Sequence, residues 1–240
     1  MLQFAAKRLS AMAVILLGLT MVMFVLQKVS PLDPVHAMLG ANATPQSVAA
    51  QRHHLGLDKP MLTQFAHYVA NVVQGNFGTS YRTRRPVSAD LSTFLPATLE
   101  LTLYALALAL VLATLLAVGT TLRWPGAGLL RLVLLVGAST PAFLLAISGI
   151  LVFYKDLSWL PATGRSGIAS APTGPTGLLT IDGLLAGRLN VVVDALQHLA
   201  MPALAIAVGP AVSIGRVLRS SLVGNRRSDY VRTARAKGLR

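Results

Sequence analysis

Cysteine is absent from the 240 residues, which removes disulfide frameworks, thiolate catalysis and Cys-ligated zinc together. Acid is nearly as scarce, with 8 Asp and Glu against 21 Lys and Arg, and Glu100 is the single glutamate. No His-Glu-x-x-His run occurs, and His53-His54 is an adjacent pair rather than an i, i+4 pair, so no metal site is expected. None of the lysines follows a glycine, so the Gly-Lys-Ser/Thr of a phosphate-cradling loop is missing. No nucleotide or other cofactor is expected. Charged residues make up only 12% of the chain, against about 25% in soluble domains, which argues against a soluble globule. What is present instead is apolar: 54% hydrophobic residues, 20 glycines and a mean hydropathy of +0.63.

Four stretches carry no Lys, Arg, Asp or Glu: Leu9 to Gln27, Leu101 to Leu122, Leu132 to Tyr154 and Ala195 to Gly215. Each has about the 17 to 25 residues that a helix needs to cross a ~30 Å hydrocarbon layer. Isolated Pro or Gly within them is tolerable because neighbouring helices satisfy freed backbone groups. With flanking turns the expected spans are 9–29, 97–122, 132–154 and 195–218. The first is too long for a secretory h-region and leaves through Gln27-Lys28-Val29-Ser30 without a small-x-small cleavage site, so it is expected to be retained.

Basic residues set the orientation. With the N-terminus cytoplasmic, 12 of the 21 Lys and Arg fall in the short inner segments, whereas of the acids only Asp229 does. The formal +13 then divides into +11 inside and +2 outside, as the positive-inside rule requires, and four spans return both termini to the cytoplasm. A pI near 11.3 would suggest nucleic acid in a soluble protein. Here topology and attraction to anionic headgroups account for the charge, and no nucleic-acid partner is expected.

The outer regions, 30–96 and 155–194, differ. In the first, Thr44 is a candidate N-cap, Pro45 suits the first helical position and Gly56 the position after the last turn. Pro60 opens a second helix in which Met61, Leu62, Phe65, Tyr68, Val69 and Val72 recur at amphipathic spacing, and Gly75 closes it. A third short helix, starting near Pro86, would set Val87, Leu91 and Phe94 on one face before Pro96. Such a cap either lies on the membrane face and packs over the bundle or meets a partner outside. The second outer region is rich in Gly, Pro, Ser and Thr and reads as a loop with little core of its own.

The C-terminal segment, 219–240, carries the sharpest local pattern. The fourth span runs on through Arg216 and Arg219, Gly224-Asn225 permits a turn, and Ser228-Asp229 starts a short helix. Asp229 suits the positive end of that helix, Arg235 and Lys237 its negative end, and Gly238 its stop. Thr233, Ala234 and Ala236 are small enough to let another surface approach. The alternative is a basic amphipathic turn resting on headgroups.

Asp229-Tyr230-Val231-Arg232-Thr233-Ala234-Arg235-Ala236-Lys237-Gly238-Leu239 resembles the first half of the cytoplasmic loop signature of binding-protein-dependent ABC importer permeases, in the dipeptide/oligopeptide/nickel branch. Other pieces resemble that branch in the same order: Pro31-Leu32-Asp33-Pro34, Leu55-Gly56-Leu57-Asp58-Lys59-Pro60, Gly75-Asn76-Phe77-Gly78-Thr79-Ser80-Tyr81-Arg82 and Leu95-Pro96-Ala97-Thr98-Leu99-Glu100-Leu101. Pro141-Ala142-Phe143, Leu160-Pro161-Ala162-Thr163-Gly164 and His198-Leu199-Ala200-Met201-Pro202-Ala203-Leu204 complete the set. The chain is most similar to the first permease of the dipeptide-type pair. Arg232, Thr233 and Ala234 stand where the wider superfamily has Glu-Ala-Ala, a departure shared by the peptide branch.

The resemblance implies an all-α integral membrane bundle, with four of six transmembrane helices present and a helical outer region between the first two. It implies a permease subunit of an ATP-driven importer, for dipeptides or oligopeptides, in a multi-pass cell-membrane assembly. The partners it implies are a second permease subunit, cytoplasmic ABC ATPase subunits, an extracytoplasmic substrate-binding protein and the bilayer. ATP hydrolysis then belongs to a separate subunit, and this chain has no catalytic residues of its own. Asp229, Tyr230, Arg232, Thr233, Ala234, Arg235, Lys237 and Gly238 would form the ATPase-coupling segment, while Glu100 and Pro141 are candidates for the translocation path. By the same resemblance the chain is expected to be incomplete at its C-terminus.

Two competing classes remain at the level of sequence. One is an ATPase-independent transporter or channel. The other is an intramembrane serine protease, because Gly164-Arg165-Ser166-Gly167 matches a rhomboid-type Gly-x-Ser-Gly with His198 as the base. That assignment suffers from Ala171-Pro172-Thr173-Gly174-Pro175-Thr176-Gly177, which cannot continue a helix from the serine.

Overall fold

The computed structural model describes residues 2–29, 35, 43–54, 56–80, 82–171, 174–226 and 228–238, leaving out the side chains of Leu2, Gln27, His54, Ala234 and Arg235. The Pro31-Leu32-Asp33-Pro34 motif lies outside the described residues, as do the side-chain roles expected of Ala234 and Arg235. The chain divides into two units, 1–91 and 92–240.

In the first unit, α1 (Leu2–Val29) is apolar almost throughout and exposed on nearly every side. Its C-terminal turn is the exception. Phe24 is buried there against Phe65 and Tyr68, with ring centroids 5.5 and 5.9 Å away. The two outer helices anticipated from Thr44-Pro45 and Pro60 form as α2 (Pro45–His54) and α3 (Met61–Val73). Gly56 and Gly75 take φ of +63° and +82° just beyond them, the left-handed stop that glycine adopts without steric penalty. Gln64 fixes the entry to α3: its Nε2 donates to Leu57 O at 2.9 Å, and its Oε1 accepts from Lys28 Nζ of α1. α3 thus packs on the end of α1, while its Leu62 and Val73 stay exposed.

The expected third outer helix and second span are one element, α4 (Val87–Leu122), which runs unbroken through Pro96. A proline removes one i to i−4 bond and need not end a helix that packing holds. The third expected span, 132–154, departs further. It is two helices, α5 (Ala127–Ser139) and α6 (Ala142–Gly149), the latter prolonged by a π-helical turn (Ile150–Asp156). They meet at 113°. Pro141 is the cause: the residue before a proline is driven out of the helical region, and Thr140 sits at φ −96°, ψ 134°.

The second outer region is more ordered than its composition suggests. It contains α7 (Leu179–Leu185), in which Thr180, Asp182 and Gly183 are buried. After it, α8 (Leu189–Arg226) continues through Pro202, Pro210 and the expected turn at Gly224-Asn225. The turn falls two residues later, before α9 (Asp229–Ala236). Among the described residues three helices are long and apolar enough to cross a membrane, or four if the bent α5–α6 pair crosses as one.

The core of the second unit is built around α8. Val208 and Val212 pack with Leu116 of α4 and Leu134 of α5, and Ala207 and Ala211 pack with Ala109 of α4. Small residues let the backbones approach, as in membrane bundles where apolar area gives no drive to associate. A Cβ on Gly137 of α5 would stand 2.9 Å from Val208 Cγ1. Leu103, Leu106, Leu110 and Val111 of α4 remain exposed, as a surface meeting acyl chains requires.

Candidate functional site

Charge is so rare here that each buried acid marks a place where structure has been built around it. Glu100, in the first half of α4, is 3% exposed. Its Oε2 accepts from Arg165 Nη2 at 2.8 Å, and its Oε1 accepts from the Thr180 N–H at 2.8 Å and the Thr180 hydroxyl at 2.7 Å. The same Arg165 nitrogen donates to Gly177 O at 2.9 Å. Gly177 itself has φ +69° and lies against Pro96, where a Cβ would stand 2.9 Å from the ring. The Thr180 contacts tie the first turn of α7 to α4, and Arg165 ties the loop before it.

The second acid, Asp182, holds the approach to α7 together. Its Oδ1 accepts from the Thr176 hydroxyl at 2.8 Å and from the Thr176 N–H at 3.2 Å. A Cβ on Gly174 would overlap its carboxylate, so only glycine fits there. A further acid, the partly exposed Asp194 in the first turns of α8, accepts through Oδ2 from the Ser166 hydroxyl and from the Gly167 N–H at 2.9 Å. Ser166 Oγ in turn accepts from the Ile168 N–H at 3.0 Å. His198, one helical turn along, points Nδ1 at the Asp194 carbonyl oxygen, 2.8 Å away.

This geometry bears on the protease alternative. Ser166 is bonded to a carboxylate and His198 Nδ1 to a backbone carbonyl of its own helix, and no hydrogen bond joins Ser166 to His198 among the described residues. Nucleophile and base are not paired as nucleophilic catalysis requires. Ser166→Ala is therefore expected to cost about 1.5–3 kcal/mol of stability, the range for one hydrogen bond to a charged group, and to leave no reactivity to remove. Thermal unfolding checks the first expectation. Labelling of the unaltered chain by a fluorophosphonate serine probe, lost in the variant, would contradict the second.

The other expected site residues lie apart from this cluster. Glu100 pairs with Arg165 inside this cluster, and Pro141 is not among its partners. Pro141 starts α6 at the elbow and is exposed. The expected coupling segment forms α9, with Asp229 in its first turn and Gly238 at φ +80° beyond its end. Tyr230 is 66% exposed, and Asp229 and Arg232 make an exposed ion pair at 3.9 Å that contributes little to stability. Asp194, Asp182 and Thr180 were not singled out by sequence. The available signal was that three of the few acids fall where the outer region meets α4 and α8.

Comparison with known proteins identifies relatives along the whole chain. Residues 1–102 match the family model described as the N-terminal part of binding-protein-dependent transport system membrane components. Residues 109–240 match the binding-protein-dependent transport system inner membrane component. The chain is 39% identical to a di/tripeptide transport system permease protein of Pseudomonas aeruginosa, over 100% of its own length and 72% of that protein. It is 38% identical to a probable D,D-dipeptide transport system permease protein of Escherichia coli, over 97% of itself and 69% of that protein. It is 34% identical to a dipeptide transport system permease protein of Alkalihalophilus pseudofirmus, over 99% of itself and 72% of that protein.

Proposed function

The chain belongs to the binding-protein-dependent transport system inner membrane components and is a multi-pass permease subunit of such an importer, and from this we propose that it carries short peptides and takes its drive through α9 from a separate ATPase. The observation that carries the coupling reading is the placement of α9. It is a short helix set two residues beyond the end of α8, exposed along Asp229 and Tyr230. An element attached so closely to a long helix transmits displacement to it. Peptide substrates are supported by the three relatives named above, whose names specify dipeptides or di- and tripeptides.

In this reading a second permease subunit completes the path, and a binding protein delivers substrate from outside the cytoplasm. Both ends of the described chain lie in the cytoplasm, because the basic residues cluster beside those segments. Binding of ATP by the partner favours one arrangement of the spans over the other only through differential contacts, and α9 is where this chain would make them.

Affinity purification of the full chain from membranes is expected to bring down a Walker-motif ATPase. Removing residues 229–238 is expected to abolish that association while leaving the chain in the membrane. An undiminished ATPase yield from the deletion would reject α9 as the coupling element. Uptake of labelled dipeptide that depends on the chain, competed by other peptides and not by nickel or haem, would support the substrate class.

A further inference from the structure

Resting on the reading that this chain is part of a driven path, we infer that residues 164–167 and α7 form a clasp that makes α4 and α8 one moving piece, with Arg165 as its positioning residue. The two helices run parallel. Glu100 and Asp194 lie in their first halves, Ala109 meets Ala207 and Ala211 farther along, and Arg226 Nη1 donates to Thr121 O at 3.3 Å near their C-terminal ends. Packing between small residues alone leaves two helices free to rock about their contact.

Three consecutive loop residues restrain that motion. Arg165 grips α4 through Glu100, and Ser166 and Gly167 grip α8 through Asp194. The α7 helix repeats the connection, since Thr180 gives both its donors to Glu100 and Gly183 lies directly against α8. A Cβ on Gly183 would stand 3.4 Å from Val191 Cγ1, and Val191 is fully buried. A plain connecting loop has no use for ties to two carboxylates, one of them buried, in a chain with so few acids. The cluster fits an element that must stay shut while the helices beneath it move.

The consequence concerns transmission. Displacement of α9 passes into α8, and with the clasp shut it reaches the far end of α4 as well. With the clasp open, the C-terminal ends still follow α9 while the far ends separate, and ATP is hydrolysed without matching import.

The test uses the complete importer in proteoliposomes and reads ATP hydrolysed per peptide imported. Arg165→Gln is expected to raise that ratio on the order of tenfold, within the range by which residues linking distant sites alter coupling. Arg165→Lys, which keeps a positive charge opposite Glu100, is expected to lie closer to the unaltered value than Arg165→Gln does. A role in stability alone lowers hydrolysis and import together, and an unchanged ratio in Arg165→Gln would overturn the inference.

Should that variant fail to assemble, the pair Gly183→Cys and Val191→Cys decides. The built Cβ of Gly183 is 3.5 Å from Val191 Cβ, within disulfide reach, in a chain that has no cysteine. Oxidation is expected to leave import intact, because α7 rides with α8 throughout the cycle. Import arrested by oxidation and restored by reductant, with the unaltered importer indifferent to both, would show that α7 parts from α8 and would sink the clasp. Failure of the unaltered chain to associate with any ATPase would count against the proposed function instead.

Discussion

Glu100→Ala is expected to be the most damaging single truncation outside the apolar core, at about 3–5 kcal/mol, the range for removing one member of a buried ion pair. The loss has two unequal parts. Arg165 is left without its anion, but its side chain is 37% exposed, so water takes over much of that charge. Thr180 is 1% exposed and has no such recourse. Its N–H and hydroxyl both lose their acceptor, and buried donors left unpaired cost about 1–3 kcal/mol each. Glu100→Gln separates the parts, because an amide oxygen still accepts from Thr180 while the charge opposite Arg165 is gone. It should lose about 1–2 kcal/mol. Thermal unfolding of the purified chain in detergent checks both. If Gln proves as harmful as Ala, the ion pair and not the Thr180 bonds holds the outer region down.

Much of the fold was legible because the bilayer imposes a length and a charge rule that few sequences satisfy by chance. Leu9 to Gln27, Leu101 to Leu122 and Ala195 to Gly215 all lie inside long helices, and Asp229 to Gly238 bounds the last helix closely. The caps at Thr44, Gly56 and Gly75 were legible for a different reason, since they depend on local backbone chemistry alone. The misses share the opposite property. The helix expected to end before Pro96 runs on through it, as the fourth span was expected to do through Pro202 and Pro210, while the span expected to cross Pro141 breaks there at 113°, and nothing local separates these prolines. The difference lies in what packs around each proline.

The outer segment between Lys155 and Asp194 was the largest misreading, and its cause is informative. Gly, Pro, Ser and Thr are loop formers on average, yet here Thr176, Thr180 and Ser166 donate to carboxylates and Gly174 and Gly177 let backbone approach where a side chain could not fit. The order of that segment is polar rather than apolar, and hydropathy is blind to it. Glu100 illustrates the same limit. Its rarity marked it as a residue of consequence, but its partner lies 65 residues away in a loop.

At the centre of the second unit, Gly215→Val is expected to separate α4 from α8. A Cβ at position 215 would stand 2.9 Å from Leu116 Cδ2 and 3.3 Å from the carbonyl oxygen of Ala113. The leucine tip can rotate away. The carbonyl belongs to the backbone of α4 and moves only if the helix does. Alanine at this position gains roughly 1 kcal/mol of helix propensity over glycine, set against that contact, so its net effect is small. Valine carries two further methyl groups past the same carbonyl, and overpacking of this kind costs about 1–3 kcal/mol or more where the neighbour cannot yield. Gly209, six residues earlier on α8, has nothing within 4 Å of a built Cβ. Valine there should be tolerated to within about 1 kcal/mol, and the contrast between two glycines of one helix removes propensity from the comparison. Unfolding in detergent gives the stabilities. If Gly215→Val and Gly209→Val melt alike, α4 and α8 do not depend on close approach at Gly215, and the carboxylate ties at their first halves bear more of the pairing than the small-residue contact does.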